Sequence, residues 1–427
     1  MVSTLFLVLA LTAIAIQTLL IILFLFEPYL PYRIRRKPAS SVESEEFLTL
    51  LEALANAQIH HDCFVEVLTN GEVFYEAQLE AIRNARSSIN LEAYIFQRGK
   101  VTRRFVEALA ERARAGVKVN MVLDAIGCFL TTRKFFKELS DAGGRVEWYH
   151  PFRWYNLPRL NNRTHRELLI IDGEIGFTGG AGFADHWLHN KRKHRRWRDT
   201  MFRVRGGAVK SLQSVFAENW LEASGEILTG ARYFPVQREQ PYGMMALVVS
   251  SAPSMGRSTR ARVLFQTLLA TASKSIYITS PYFLPDKSVR EELKKAIKIR
   301  QVEVKIITPG RHSDHLLTRR SSRRLYGELL RAGASIYEYR PTMIHTKSMI
   351  VDGVWSVVGT TNFDNRSFGL NDEVNLVVYD EVLTGRLQED FAKDLAESHR
   401  VSYQQWKHRN LFERFHEWFG WILERQQ

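Results

Sequence analysis

The chain has 427 residues, 45% hydrophobic and 25% charged, with a formal net charge of +13. That length can hold two sizeable cores, and the positive balance calls for anionic partners, membrane surface and nucleic acid both being eligible. Two cysteines, Cys63 and Cys128, exclude a disulfide framework and a cysteine metal cluster, and they favour a reducing compartment.

From the amino terminus, Thr4 to Phe26 carries no ionisable side chain and is long enough to cross a bilayer as a helix. A cleavable signal peptide would bring a basic leader and a shorter apolar run, so a retained anchor is expected at 4–26. Arg33, Arg35, Arg36 and Lys37 follow the run and no Lys or Arg precedes it. The positive-inside rule then gives a single pass with everything downstream facing the cytoplasm. Residues 27–63 read as a basic juxtamembrane segment and linker, polar from Pro38 to Glu46.

Beyond residue 63 the chain alternates short apolar strands with helical stretches, among them Val101 to Ala115 and Lys287 to Ile299, which argues an α/β fold. The alternation is duplicated. Ser88-Ile89-Asn90-Leu91 echoes Ser275-Ile276-Tyr277-Ile278, Val117-Lys118-Val119 echoes Val302-Glu303-Val304, and Ala142-Gly143-Gly144-Arg145-Val146 echoes Ala332-Gly333-Ala334-Ser335-Ile336. Two copies at so long a period predict paired domains, at 64–235 and 236–405, rather than a solenoid. The densest basic cluster runs from Lys191 to Arg198. It reads equally as a solvated loop and as a phosphate or head-group contact through Lys193, Arg195 and Arg196. With an anchor nearby, anionic lipid is a more economical partner than nucleic acid. At the carboxyl end, 406–427 reads as an amphipathic helix, with Leu411, Phe412, Phe415, Trp418, Phe419 and Ile422 at helical spacing. A packing face is the ordinary reading of such a stripe, and a helix in the membrane interface the minority one.

The chemistry concentrates in His345-Thr346-Lys347-Ser348-Met349-Ile350-Val351-Asp352, of the form His-x-Lys-x-x-x-x-Asp. Ile344 to Val351 reads as a strand, on which His345 and Lys347 project from one face. That pair suits phosphodiester chemistry: a neutral imidazole attacks phosphorus, a lysine neutralises the non-bridging oxygens, and a second imidazolium protonates the leaving alkoxide. The second histidine is His165, 180 positions earlier (345 − 165), in His165-Arg166-Glu167-Leu168-Leu169-Ile170-Ile171-Asp172. One symmetric site at the junction of the two halves is expected.

The motif at His345, followed by Gly359-Thr360-Thr361-Asn362 and by Asn371-Asp372-Glu373, resembles the phospholipase D superfamily, particularly the bacterial cardiolipin synthases. The resemblance runs through Asn90 to Phe96, Gly116 to Asp124, Trp197-Arg198-Asp199-Thr200 and Ser280 to Asp286, and so covers nearly everything after Phe64. It implies two fused phospholipase D-type α/β domains and a phosphatidyltransferase working through a phosphohistidine, with phosphatidylglycerol as one such lipid and no metal or other cofactor. It also implies His165 as nucleophile, His345 as general acid and base, and Asp199 and Glu373 as carboxylates that orient the imidazoles. Lys347 beside His345 leaves the reverse assignment open. Asp172 and Asp352 precede glycines at strand ends, so turn formation comes before any catalytic role.

The first half departs from the family pattern twice: Glu167 replaces the lysine, and Gly182 stands where the asparagine equivalent to Asn362 is expected. Two like charges about 4 Å apart repel by about 4 kcal/mol at an effective dielectric of 20, roughly three orders of magnitude in rate if wholly spent against the transition state. Glu167 is therefore protonated or paired with a basic neighbour, with Arg163 the candidate on the same strand face. Otherwise it serves a cationic or hydroxyl-bearing substrate group, or turnover is lost and lipid binding kept. An altered but working enzyme is the favoured expectation, since the rest of the constellation is present. A phospholipase or phosphodiesterase using water, and a tethered nuclease, are the rival chemistries.

Overall fold

The computed structural model describes residues 2–25, 34–38, 40–152, 161–188, 196–236, 243–252, 259–410 and 413–414. The chain opens in helix α1 (Val2–Leu25), without an acidic residue in its first turn or a basic one in its last. Its side chains are described only from Thr4 to Leu19, where all are exposed. Among the described residues no helix is long and apolar enough to cross a membrane, so the fold does not show the expected anchor at 4–26.

Helix α2 (Glu45–Ala55) starts where the Ser44 side chain accepts the Phe47 N–H. Phe47, Leu51 and Ala55, one helical face, are buried. Phe47 meets Trp355 edge-on at 5.9 Å, and the Trp355 indole N–H donates to the Val42 carbonyl. The segment read as a linker to residue 63 therefore contains a helix packed into the second repeat, and the first strand begins inside it, at Ile59.

The first repeat runs β1 (Ile59–Thr69), α3 (Gly71–Arg83), β2 (Ser88–Ala93), α4 (Lys100–Arg114), β3 (Lys118–Asp124), α5 (Lys137–Asp141), β4 (Arg145–Tyr149), β5 (Leu168–Ile171), β6 (Ile175–Gly179), β7 (Thr200–Arg205) and α6 (Ala208–Ser224). The second runs β8 (Met244–Ser251), α7 (Arg260–Thr271), β9 (Ser275–Thr279), α8 (Lys287–Lys298), β10 (Glu303–Pro309), α9 (Leu316–Ala332), β11 (Ser335–Tyr339), β12 (Ser348–Val351), β13 (Trp355–Gly359), α10 (Asn365–Gly369), β14 (Glu373–Tyr379) and α11 (Glu381–Ala396). The strands belong to one sheet, ordered β15-β11-β10-β9-β12-β13-β14-β8-β1-β7-β6-β5-β2-β3-β4, with β15 (Ser398–Val401) on the second repeat's edge. Read outward from its centre, the order is the same in both repeats. The halves join where β1 and β8 pair antiparallel, Ile59 opposite Leu247 and His60 opposite Ala246.

The inner strands are buried on both faces, as a sheet covered by crossover helices requires: β5 is an apolar run, while β2 alternates Ile89, Leu91 and Ala93 with the buried polar residues Ser88, Asn90 and Glu92. β2 pairs parallel with β3, and β9 with β10, across α4 and α8. A core shared by the halves sets Leu168, Ile170 and Phe202 with Ile350, Val358 and Leu376. The short helix α12 (Tyr403–Lys407) lays Trp406 over α9, at Gly327, where any Cβ would meet the indole at 2.2 Å. Trp406 thus belongs to this packing. The stripe expected beyond it, Leu411, Phe412, Phe415, Trp418, Phe419 and Ile422, lies outside the described residues.

Asp172 and Asp352 sit at φ +55° and +56°, each followed by a glycine with positive φ, in the tight turns that join β5 to β6 and β12 to β13. The Asp172 carboxylate accepts the N–H groups of Arg86, Ser87 and Ser88. The Asp352 carboxylate accepts those of Ser273, Lys274 and Ser275 and the Ser273 hydroxyl. Both aspartates, carried among the catalytic candidates, tie a hairpin to the start of β2 or β9, at the other end of β5 or β12 from the histidines. Replacing Asp352 with Ala strands several N–H donors, each worth about 1–3 kcal/mol when left without a partner inside a protein. A loss of about 3 kcal/mol in a urea titration is expected; an unchanged midpoint would contradict the structural role.

Candidate active site

Both histidines stand just before a strand rather than in it, because their segments pair with the opposite repeat. The His165 N–H donates to the Asp372 carbonyl at 2.9 Å and the Asp372 N–H to the Arg163 carbonyl at 2.9 Å. In the other half, the His345 N–H donates to the Arg198 carbonyl at 2.8 Å and the Arg198 N–H to the Met343 carbonyl at 2.9 Å. The strand expected from Ile344 therefore begins only at Ser348.

The side chains cross in the same way. His165 Nδ1 lies 3.1 Å from both carboxylate oxygens of Glu373, the first residue of β14. His345 Nδ1 lies 3.0 Å from Asp199 Oδ2, just before β7. Each imidazole can donate its Nδ1 proton to a carboxylate and keep the Nε2 lone pair for a substrate. Asp199 also accepts the Trp187 indole N–H and the Thr200 N–H, and Glu373 takes the Thr360 hydroxyl. Burial alone would push Asp199 up, but its hydrogen bond to His345 and the His345 and Lys347 charges override this and hold it below the ordinary carboxylate value. His345 is 4% exposed. Burial and then the Lys347 ammonium push it below the ordinary imidazole value, against the pull of Asp199.

Lys347 Nζ lies 3.0 and 3.2 Å from the two ring nitrogens of His345 and 3.4 Å from the Gly180 carbonyl of the first repeat. Burial lowers its pKa against the pull of surrounding carboxylates, Asp199 first. Asn362 is buried with Oδ1 lacking a hydrogen-bond partner. Aromatic rings surround the two histidines: Tyr94 stands edge-on to His165 at 5.1 Å, with Trp187 and Trp197 each 5.5 Å and Tyr282 6.5 Å from His345. The motifs do not reveal these rings as site walls. Tyr94 and Tyr282 could have been found from the duplication, since they follow equivalent strands, β2 and β9. Trp187 and Asp314, which accepts the Tyr282 hydroxyl at 2.6 Å, carry no such signal.

Glu167 is buried and does not meet Arg163. Its Oε1 accepts the N–H groups of Tyr94 and Ile95, each at 3.2 Å, and Oε2 has no hydrogen-bond partner. The Arg163 guanidinium lies 3.6 Å from Asp124 and donates to the carbonyls of His150 and Asn162, so the expected Glu167–Arg163 pairing is wrong. Burial pushes the Glu167 carboxyl well above the ordinary value of 4.5, more than the two N–H groups and Lys347 pull it down. The protonated form of the residue is the one the site favours. Of the basic loop, Lys193 and Arg195 lie outside the described residues, and Arg196 reaches Glu72 on α3 at 2.9 Å. Among the described residues no group of His, Cys, Asp and Glu is arranged to hold a metal ion.

A carboxyl with a raised pKa holds its proton more tightly in the folded state than in the unfolded one. Its contribution to stability is full below the unfolded value and is lost as pH rises toward the folded value. Glu167→Gln keeps the acceptor for Tyr94 and Ile95 and cannot ionise. Between about pH 5 and about pH 8 it should lose less stability than the wild type. Glu167→Lys would aim an ammonium at two N–H donors beside Lys347 and should cost about 3 kcal/mol or more. Denaturant titrations at the two pH values check both. A Lys variant as stable as the wild type would remove the argument.

The family of the cardiolipin synthase phospholipase D-like domain matches residues 79–220 and 265–395. A cardiolipin synthase of Listeria monocytogenes is 34% identical over 378 residues, 87% of this chain and 77% of that protein. One of Geobacillus is 35% identical over 349 residues, 81% and 68% respectively. Among solved structures, a phosphatidylserine synthase of Haemophilus influenzae superposes with a TM-score of 0.68 at 12% identity, covering 90% of this chain and 100% of its own, a likeness of fold. With the duplicated sheet, the crossed histidine–carboxylate pairs and these matches, the chain belongs to the cardiolipin synthase family of phospholipase D-like proteins.

Proposed function

We propose that the protein is a phosphatidyltransferase that moves a phosphatidyl group between phospholipids, making cardiolipin from phosphatidylglycerol. The crossed pairs His165–Glu373 and His345–Asp199 carry this reading. One imidazole Nε2 attacks phosphorus, forming a P–N bond as the P–O bond to the leaving alcohol breaks, and the other imidazolium gives that alcohol its proton. The acceptor lipid's hydroxyl then yields its proton to the second imidazole and attacks phosphorus, and the P–N bond breaks.

His345 is the nucleophile and His165 the acid and base, the reverse of the assignment that the family resemblance implies. Burial and Lys347 favour a neutral His345, while His165 faces the Glu373 carboxylate without a motif lysine two residues on, where Glu167 stands. Lys347, against the His345 ring, passes to the non-bridging oxygens of the bound phosphate and steadies the pentacoordinate state. The depth of His345 and its aromatic surroundings support transfer over hydrolysis, since water has little access there. The apolar α1, with the basic Arg33 to Lys37 segment after it, serves as a single-pass anchor in the bacterial membrane, the cleft on the cytoplasmic side.

Purified protein incubated with labelled phosphatidylglycerol should yield labelled cardiolipin and free glycerol. Phosphatidic acid as the sole product would make it a hydrolase, and no turnover of any donor would leave a lipid-binding protein. His345→Ala and His165→Ala should each lower turnover by roughly 10²–10⁴-fold or more. With donor labelled in the phosphatidyl group, His165→Ala should still acquire label on the protein and His345→Ala should not. The opposite pattern returns the nucleophile to His165.

A further inference from the structure

We propose that the loop after β3, with the exposed apolar side chains Ile126, Phe129 and Leu130 and the basic Arg98, Arg103 and Lys134 in the adjoining segments, is a docking surface that seats the histidine site on an anionic bilayer. The proposal deepens the phosphatidyltransferase reading and rests on it for the identity of the partner.

The loop is fixed at its base and apolar at its tips. The Asp124 carboxylate accepts the N–H groups of Ile126 and Gly127 at 2.8 and 2.9 Å, and the Thr131 hydroxyl donates to the Phe96 carbonyl at 2.6 Å. At Gly127 the backbone passes so near Tyr94 that a Cβ would come 2.1 Å from its carbonyl oxygen. Tyr94 is the ring against His165, so the loop forms the outer wall of the first half-site. Yet Ile126, Phe129 and Leu130 are 47%, 70% and 67% exposed. A loop so well satisfied at its base has no structural need to hold three large apolar side chains in water, and adjacent exposed apolar groups mark an interaction surface.

The surrounding charge identifies the partner. Neither 94–106 nor 125–137 contains an Asp or Glu. Arg98, Arg103, Lys134 and Lys137 line a cavity of about 600 Å³ that also takes in Thr132, at the end of the loop, and the acids Glu107, Glu138 and Asp141. Apolar tips that enter the acyl boundary, with basic side chains at head-group level, are the composition of a surface that binds anionic membranes. The second repeat repeats the placement in reduced form: after β10, Asp314 holds Tyr282 and Leu316 is exposed.

The test uses the full chain reconstituted into vesicles of phosphatidylglycerol and phosphatidylcholine, with a cysteine-linked environment-sensitive dye. Both native cysteines are buried. Leu130→Cys carries the dye in one protein and Val382→Cys, 81% exposed on α11, in the control. Position 130 should shift to the blue and be quenched by nitroxide-bearing acyl chains, at least threefold more than position 382. Charge reversal by Arg98→Glu, Arg103→Glu and Lys134→Glu together should lower that quenching at least threefold. Equal quenching at both positions, none at 130, or indifference to the reversed charges would overturn the proposal. No turnover is measured, so a protein that failed as a transferase would still answer the question of docking.

Discussion

Everything at the centre of this fold depends on two carboxylates that belong to the wrong half. Asp199 and Glu373 are fully buried, and a buried carboxylate is costly unless it is hydrogen-bonded and faces compensating charge. Each finds its imidazole in the other repeat. Separated, each repeat would expose a histidine without its acceptor and an acid without its donor. The continuous sheet through β1 and β8 and the core shared by β5, β7, β12, β13 and β14 hold the repeats in register. The site is a property of the junction. That is why the segments of His165 and His345 give up strand pairing within their own repeat to bond across it.

Much of this could be read in the chain. The echoing segments locate β2 with β9, β3 with β10 and β4 with β11, and the repeated motif identifies the two histidines. Asp199 and Glu373 could be named as orienting groups, though not that each would serve the opposite repeat. The partner of Glu167 was beyond reach for a definable reason. Two-residue alternation puts Arg163 and Glu167 on one face only if 163–167 is a regular strand, and β5 starts at Leu168. The groups that do hold Glu167 are the backbone N–H groups of Tyr94 and Ile95, which no side-chain pattern records. Residues 27–63 read as a juxtamembrane segment and linker because Arg33 to Lys37 is basic and Pro38 to Glu46 polar, but Phe47, Leu51 and Ala55 recur at four-residue spacing and bury one face of α2 against the second repeat.

The two departures in the first half are one structural change. A Cβ at Gly182 would come 2.8 Å from Ile95 and 2.9 Å from Glu167 Oε1. The volume that a side chain at 182 would need is thus taken by the Glu167 carboxyl and the backbone that holds it. The intact half keeps both Lys347 and Asn362, and its ammonium leans toward the Gly180 carbonyl of the altered half. The cleft is left with its motif lysine on one side only. The His345 side carries the cation and suits an anionic phosphoryl group, while the His165 side offers a carboxyl whose pKa burial raises well above the ordinary carboxylate value. A symmetric pair of lysines would bind phosphate equally from both sides. Here the motif cation stands on the His345 side alone, so in the reaction proposed above the charge of the pentacoordinate state would be met from that side.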